Sequence, residues 1–239
     1  IRLLKYYEIN TPMTSYHEYN KIEKAKYLIE QMQKGKTVAL ITDAGTPAIS
    51  DPGEELVQMC QRAHIPVTSL PGASACITAL TLSGLQTRRF CFEGFLPSEK
   101  KEKKEILEEL KEESRTIILY EAPHRLISTL SELQETLGDR KVTLCRELTK
   151  KFETIMPVTF SEALSFYEEE APRGEYVLVI EGKSLADKKR EIEENWQRIG
   201  IREHMEIYEQ EGMDRKEAMK KVAADRGISK REVYRELLR

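Results

Sequence analysis

Residues 37–53, TVALITDAGTPAISDPG, change character halfway along, and this change limits the fold more than any other feature of the chain. Thr37–Thr42 is short, apolar and β-branched, which predicts a buried strand. Asp43–Ala44–Gly45–Thr46–Pro47 and Ser50–Asp51–Pro52–Gly53 are two turns of small residues and prolines. Glu54 then opens a helical period with Leu56, Val57 and Cys60 on one face. Strand, tight loop and helix form the repeating unit of α/β folds, and open sheets of that class bind ligands at such loops. Gly45 admits a close approach, and Asp43 can bond its own backbone or a ligand. Taken alone, the stretch serves equally well as a plain strand-to-helix turn.

The unit then repeats. Ile65–Leu70 reads as a strand, Pro71–Gly72–Ala73–Ser74–Ala75 as a small-residue turn, and Ile77, Leu80 and Leu82 mark a helix running to Gly84. Two such loops side by side form a cleft. Before them, a helix is expected from His17 to Lys34, stopped by Gly35. Gly35–Lys36–Thr37 resembles the end of a phosphate-binding loop, but Glu30 stands where that motif needs glycine. Further strands are expected at Phe90–Phe95, Thr116–Tyr120, Lys141–Cys145 and Tyr176–Glu181. Helices are expected after a Ser98 cap, at Leu126–Leu137 and at Ser161–Glu170. The alternation predicts an α/β fold through Gly182, with two sheets and a boundary near Arg88. The expected domains are 1–88, 89–184 and a helical extension over 185–239.

The extension differs in kind. Arg215–Asp225 is helical with Ala218, Met219, Val222 and Ala223 inward. Gly227–Ile228 turns, and Ser229 with Glu232 forms a capping box for a second helix with Val233 and Leu237 inward. This is a helix-turn-helix pattern. Residues 214–239 hold nine Lys/Arg against five Asp/Glu, although the whole chain carries a net charge of −3. The pattern suits either a helical cap or dimerisation element, or a nucleic-acid contact made through phosphates, with the Lys100–Lys104 cluster as a second candidate.

Composition excludes several classes. No apolar run approaches the roughly eighteen residues of a membrane span. No signal peptide opens the sequence, and Cys60, Cys76, Cys91 and Cys145 lack paired spacing. They read as free thiols of a cytoplasmic protein, with no metal site. The polar groups at strand ends are Asp43, Thr46, Ser50, Ser74, Glu121, His124, Arg146, Glu147 and Lys150. That set suits holding a polar cofactor while a proton is removed from a substrate, so group transfer fits better than hydrolysis. Glu121 and Glu147 are the candidate bases, and Lys150 and Arg146 the groups that orient the substrate or the base.

TDAGTPAISDPG, SLPGASA, FEGFLP, LYEAPHRL, RELTKKFE and GEYVLVIEG, in this order, resemble the tetrapyrrole methylase family, and within it the branch that modifies ribosomal RNA. The resemblance covers about Ile1–Gly182, and the helical tail matches that branch's extension. It implies S-adenosylmethionine as methyl donor, a two-domain α/β fold with the cofactor in the cleft, and a homodimer. The implied reaction is methylation of a cytidine ribose 2′-oxygen in small-subunit ribosomal RNA. The implied cofactor contacts are Asp43, Ala44, Gly45, Thr46, Ile49, Ser74 and Ala75, with Tyr120 from the second domain. Gly45–Thr46–Pro47 stands where tetrapyrrole-modifying relatives have Gly-Asp-Pro, which speaks against a corrinoid substrate. A tetrapyrrole or corrinoid methyltransferase and a non-catalytic nucleic-acid-binding protein are the rival readings. Family members open with a strand, a Gly-Thr-Pro-Ile-Gly-Asn-like loop and an Asp-Thr-Arg motif. Ile1–Tyr7 matches the family segment just after that motif, so the first several dozen family residues are expected to be missing here.

Overall fold

A computed structural model describes residues 2–238, which divide into two compact units meeting between Thr81 and Leu82. The first unit contains α1 (Arg2–Tyr6), α2 (Lys21–Gln33), α3 (Glu54–Arg62) and most of α4 (Ala75–Leu82). Ala25, Leu28 and Ile29 of α2 lie three and four residues apart and pack on Leu56 and Cys60 of α3. The helix expected from His17 begins later, because Asn20 accepts the His17 N–H and turns the chain. At its far end Gly35 takes φ +88 and its N–H bonds Met32 O, the left-handed stop expected of that glycine.

The segments 37–42 and 65–70 depart from expectation, since neither belongs to a ladder among the described residues. Apolar, β-branched composition supplies strand propensity, but a strand exists only through a hydrogen-bonded neighbour. Ile41, Val67 and Leu70 are correspondingly exposed. Among the described residues the expectation of two sheets is therefore corrected to one, which lies entirely in the second unit.

That sheet comprises β1 (Phe90–Phe95), β2 (Thr116–Glu121), β3 (Lys141–Arg146), β4 (Thr154–Thr159) and β5 (Tyr176–Ile180), in spatial order β1-β2-β5-β3-β4. β1 and β2 run parallel through α5 (Lys100–Lys111), and every other pair is antiparallel. α6 (Leu126–Leu137) and α7 (Phe160–Glu169) supply Leu126, Leu130, Leu133, Phe160 and Ala163 to one core with Leu119, Leu144 and Leu178 of the sheet. β4, which carries Pro157, is not among the expected strands. The strand is an edge, paired only with β3, where a missing N–H is tolerated. α5 is capped by Glu99, whose carboxylate accepts the Lys101 and Glu102 N–H groups, and not by the expected Ser98. Arg140 donates to Leu137 O and Lys111 O, so one guanidinium satisfies the carbonyl ends of two helices.

α8 (Leu185–Gln197), α9 (Ile201–Gln210), α10 (Arg215–Asp225) and α11 (Lys230–Leu237) build a second core from Met205, Tyr208, Ala218, Met219, Val222, Ala223 and Val233. The expected inward residues of α10 and α11 are in place, and the Ser229–Glu232 capping box is formed. This core also holds a polar group. His204 is fully buried, stacked on Trp196 at 3.6 Å and 8°. Arg226 Nε donates to its Nδ1 at 3.1 Å, which requires a neutral ring. Burial, reinforced by the Arg226 charge, pushes the His204 pKa down to about 4.

An unfolded histidine protonates near pH 6.5, before the folded one does, so stability is lost as pH falls from about 6.5 to about 4. The loss attributable to His204 reaches up to about 3 kcal/mol. Trp196, the chain's single tryptophan, reports it: denaturant midpoints followed by its fluorescence should fall over this window, and His204→Gln should remove that component.

Candidate functional site

In the first unit, the two small-residue loops lie together, as expected. Thr46 Oγ1 donates to Ala73 O at 3.0 Å, and a Cβ on Gly45, at φ +80, would stand 3.5 Å from the same oxygen. Thr42 Oγ1 bonds Asp51 Oδ2 at 2.9 Å and ties the first turn to the second. Gly53 is required for space, since a Cβ there would meet Ala48 Cβ at 2.7 Å. Asp43, Ala44, Gly45, Ile49 and Ala75 are exposed, while Thr46 and Ser74 are half-buried. Ser74 O accepts from both the N–H and the hydroxyl of Thr78, holding the start of α4, whose first-turn N–H groups have no partner within the helix. Asp43 has no hydrogen-bond partner among the described residues. The pair of loops therefore offers a carboxylate, a helix N-terminus and backbone free of bulky side chains.

In the second unit, the remaining candidates gather at one end of the sheet, where β1, β2 and β3 finish and β5 begins. Tyr120 is half-buried and meets Phe92 and Phe95 edge-on, at 4.9 and 5.6 Å. Arg146 and Glu121 both register with Tyr176, so the three residues form one row across β3, β5 and β2. Glu121 is 1% exposed. It accepts the Ala122 N–H at 2.8 Å and the Thr129 hydroxyl at 2.6 Å, and Arg125 Nε lies 3.4 Å away. Arg125 also donates to Leu96 O at 2.7 Å. Glu121 thus fastens the loop after β2 to α6, and Arg125 fastens it to the loop after β1.

Glu147 and Lys150 are brought together with Glu175, a residue the sequence did not single out. Glu147 Oε1 accepts from Glu175 N at 2.9 Å and from Lys150 Nζ at 3.1 Å, and Lys150 also reaches Glu175 Oε2 at 2.7 Å. The Glu175 N–H and Lys150 hold the Glu147 carboxyl below its usual range, and the two carboxylates raise Lys150. Both groups are charged at neutral pH. Glu147 and Thr149 take positive φ, +49 and +64, a local strain of the kind found where a loop is shaped for function. His124 is exposed and Arg146 half-buried.

Gly174 is part of this cluster, because its Cβ would fall 2.5 Å from Glu147 Cγ and its φ is +75. Gly174→Ala should displace Glu147, abolish its bond to Glu175 N and lower stability by about 1–3 kcal/mol. Thermal unfolding checks this, with Gly200→Ala, where a Cβ meets nothing within 4 Å, as the control.

Comparisons with known proteins point to one family. The family described as Tetrapyrrole (Corrin/Porphyrin) Methylases matches residues 2–164. The chain is 48% identical over 233 residues to the ribosomal RNA small subunit methyltransferase I of Bacillus subtilis (strain 168), covering 98% of this chain and 80% of that protein. It is 42% identical over 234 residues to the protein of the same name from Synechocystis sp. (strain ATCC 27184 / PCC 6803 / Kazusa), covering 98% and 82%. Among solved structures it is similar to the methyltransferase CobJ, at 20% identity, TM-score 0.53 and coverage of 70% and 73%. It is also similar to a diphthine synthase, at 16% identity, TM-score 0.54 and coverage of 75% and 72%. At those identities the structural likeness is one of fold.

Proposed function

We propose, from the premise that this chain belongs to the tetrapyrrole methylase family, that it is an S-adenosylmethionine-dependent enzyme. It methylates the ribose 2′-oxygen of a cytidine in small-subunit ribosomal RNA, as a cytoplasmic homodimer. The observation that carries this reading is identity of 42–48% to ribosomal RNA methyltransferases across 98% of the chain, helical tail included. Free cysteines and a lack, among the described residues, of any helix long and apolar enough to cross a membrane are compatible with it.

The first unit's loops fit the cofactor. Asp43 offers an unengaged carboxylate to hydroxyl or ammonium donors, and Ala44, Gly45, Thr46, Ile49, Ser74 and Ala75 leave the backbone accessible around it. When bound, S-adenosylmethionine supplies a methyl group already activated on a sulfonium. What remains for the protein is alignment and removal of the hydroxyl proton. Glu147, kept ionised by Lys150 and the Glu175 N–H, is the group we assign to accept that proton. Lys150 orients it and stays positive toward the RNA. Glu121 is a positioning residue, since its oxygens are already engaged by Ala122, Thr129 and Arg125.

Calorimetry with S-adenosylmethionine, together with single-turnover methylation, tests this division. Glu147→Gln should lower the methylation rate roughly 10²–10⁴-fold with cofactor affinity unchanged. Glu121→Gln should mainly lower the melting temperature. A Glu147→Gln enzyme at full rate would remove that residue from the role.

RNA binding is assigned to the exposed bases of α10 and α11, among them Lys216, Lys220, Lys230, Arg231 and Arg235. Replacing Lys230, Arg231 and Arg235 by glutamine leaves the buried core of the tail intact. It should flatten the slope of log affinity against log salt by up to about two to three. An unchanged slope would favour a cap or dimerisation role for the tail.

A further inference from the structure

Beneath the β3–β4 hairpin and the C-terminal turn of α7 lies a cavity of about 340 Å3, lined by Arg146, Met156, Phe166, Tyr167, Glu170 and Tyr176 among others. It belongs wholly to the second unit. Arg146 projects from the end of β3 on the side of its register partners, Thr154 and Tyr176. Its Nε is buried and has no hydrogen-bond partner among the described residues. The wall beside it is held rigidly: Tyr167 donates to the Tyr176 hydroxyl at 3.2 Å, and the Arg173 N–H bonds that same oxygen at 3.3 Å. The positive-φ turn at Glu147 and Thr149 fixes the chain just beyond Arg146.

A guanidinium N–H withdrawn from water with no acceptor is costly, of order 1–3 kcal/mol. An unpartnered donor on a side chain that also lines open space beside aromatic rings marks a place for an acceptor carried by a flat, mostly apolar body. We propose that this cavity is a nucleobase subsite, which receives one unstacked base of the RNA and reads an acceptor on its edge with Arg146. This rests on the RNA reading above and adds a residue role and a place to it. Single-stranded RNA is recognised by this combination of aromatic faces and arginine. The volume lies at the low end for ligand pockets, about 300–1,000 Å3, enough for one base and too little for a macrocycle. The Glu170 carboxylate on the same wall disfavours a bare phosphate.

The test uses the full chain and a labelled single-stranded RNA of about ten nucleotides, with affinity measured by anisotropy across a salt series. Arg146→Gln should weaken binding roughly 10–100-fold with the salt slope unchanged, because a base contact is lost and not a phosphate contact. Thr154→Trp, on the exposed edge strand, plugs the cavity with Arg146 retained and should weaken binding to a similar extent. Free cytidine should compete for the cavity in saturation-transfer NMR, while inorganic phosphate should not. Wild-type RNA affinity in both variants, competition by phosphate alone, or a salt slope reduced by about one in Arg146→Gln would overturn the subsite. S-adenosylmethionine titrated into each variant separates the two levels. Cofactor binding with RNA affinity unaltered refutes only the subsite, whereas no cofactor binding by the wild type refutes the enzyme reading itself.

Discussion

The fifth strand is the element on which the second unit depends. β5 is the last strand in sequence and the middle one in space, and each of its residues is buried. On one side it pairs with β2, from Ile180 opposite Ile117 to Tyr176 opposite Glu121. On the other it pairs with β3, from Ile180 opposite Val142 to Tyr176 opposite Arg146. Without it, the parallel pair β1–β2 and the hairpin β3–β4 share no ladder. A glycine at each end makes the insertion possible. A Cβ on Gly182 would run into the Ser114–Arg115 backbone, and one on Gly174 into Glu147. Just beyond, buried Lys183 pairs with Glu112 and Glu191, so the anchor of β5 is also the anchor of the helical tail.

The same strand assembles the polar rim. Tyr176 brings Arg146 and Glu121 into one row, and Glu175, immediately before it, supplies the N–H and carboxylate that organise Glu147 and Lys150. The two glutamates that look alike in sequence are thereby given different surroundings. Glu121 points to the helical side, where Thr129 and Arg125 complete its hydrogen bonding, as a buried carboxylate requires. Glu147 sits on a left-handed turn at the surface, ionised but only partly enclosed.

What could be read from the sequence was what is local. The α10–α11 pair was legible because a capping box, a glycine turn and apolar spacing all act within a few residues. The strands β2, β3 and β5 were legible because buried strands are largely apolar, and β1 through its aromatic residues, which favour strands. β4 was hidden by Pro157, whose tolerance depends on being at an edge, which composition does not state. Thr37–Thr42 and Ile65–Leu70 failed in the opposite way: their composition is that of strands, and the described residues give them no partner. The loops after them were still recognisable, since Gly45, Thr46 and Ala73 meet through small residues whose turn chemistry is local. Glu175 and Thr129 could not be found, because their importance arises from register and from a helix packed across a sheet.

The tail shows how local rules generate a property of the whole surface. Its surplus of basic residues is modest by count, and several of its acids are already engaged by helix caps or by the polar core. Asp214 accepts the N–H groups of Lys216 and Glu217, and Glu232 closes the capping box with Ser229. Asp225 accepts the Tyr208 hydroxyl and lies 3.6 Å from the ring of buried His204. Arg226 is likewise drawn inside, onto His204 Nδ1 and the Ile199 and Gly200 carbonyls. Helix capping and a polar core thus engage three carboxylates and a single guanidinium. The other described lysines and arginines of α10 and α11 remain exposed. The carboxylates at the helix N-termini are thus committed to backbone N–H groups, where helices need acids, while the bases of the same surface keep their side chains exposed to a partner.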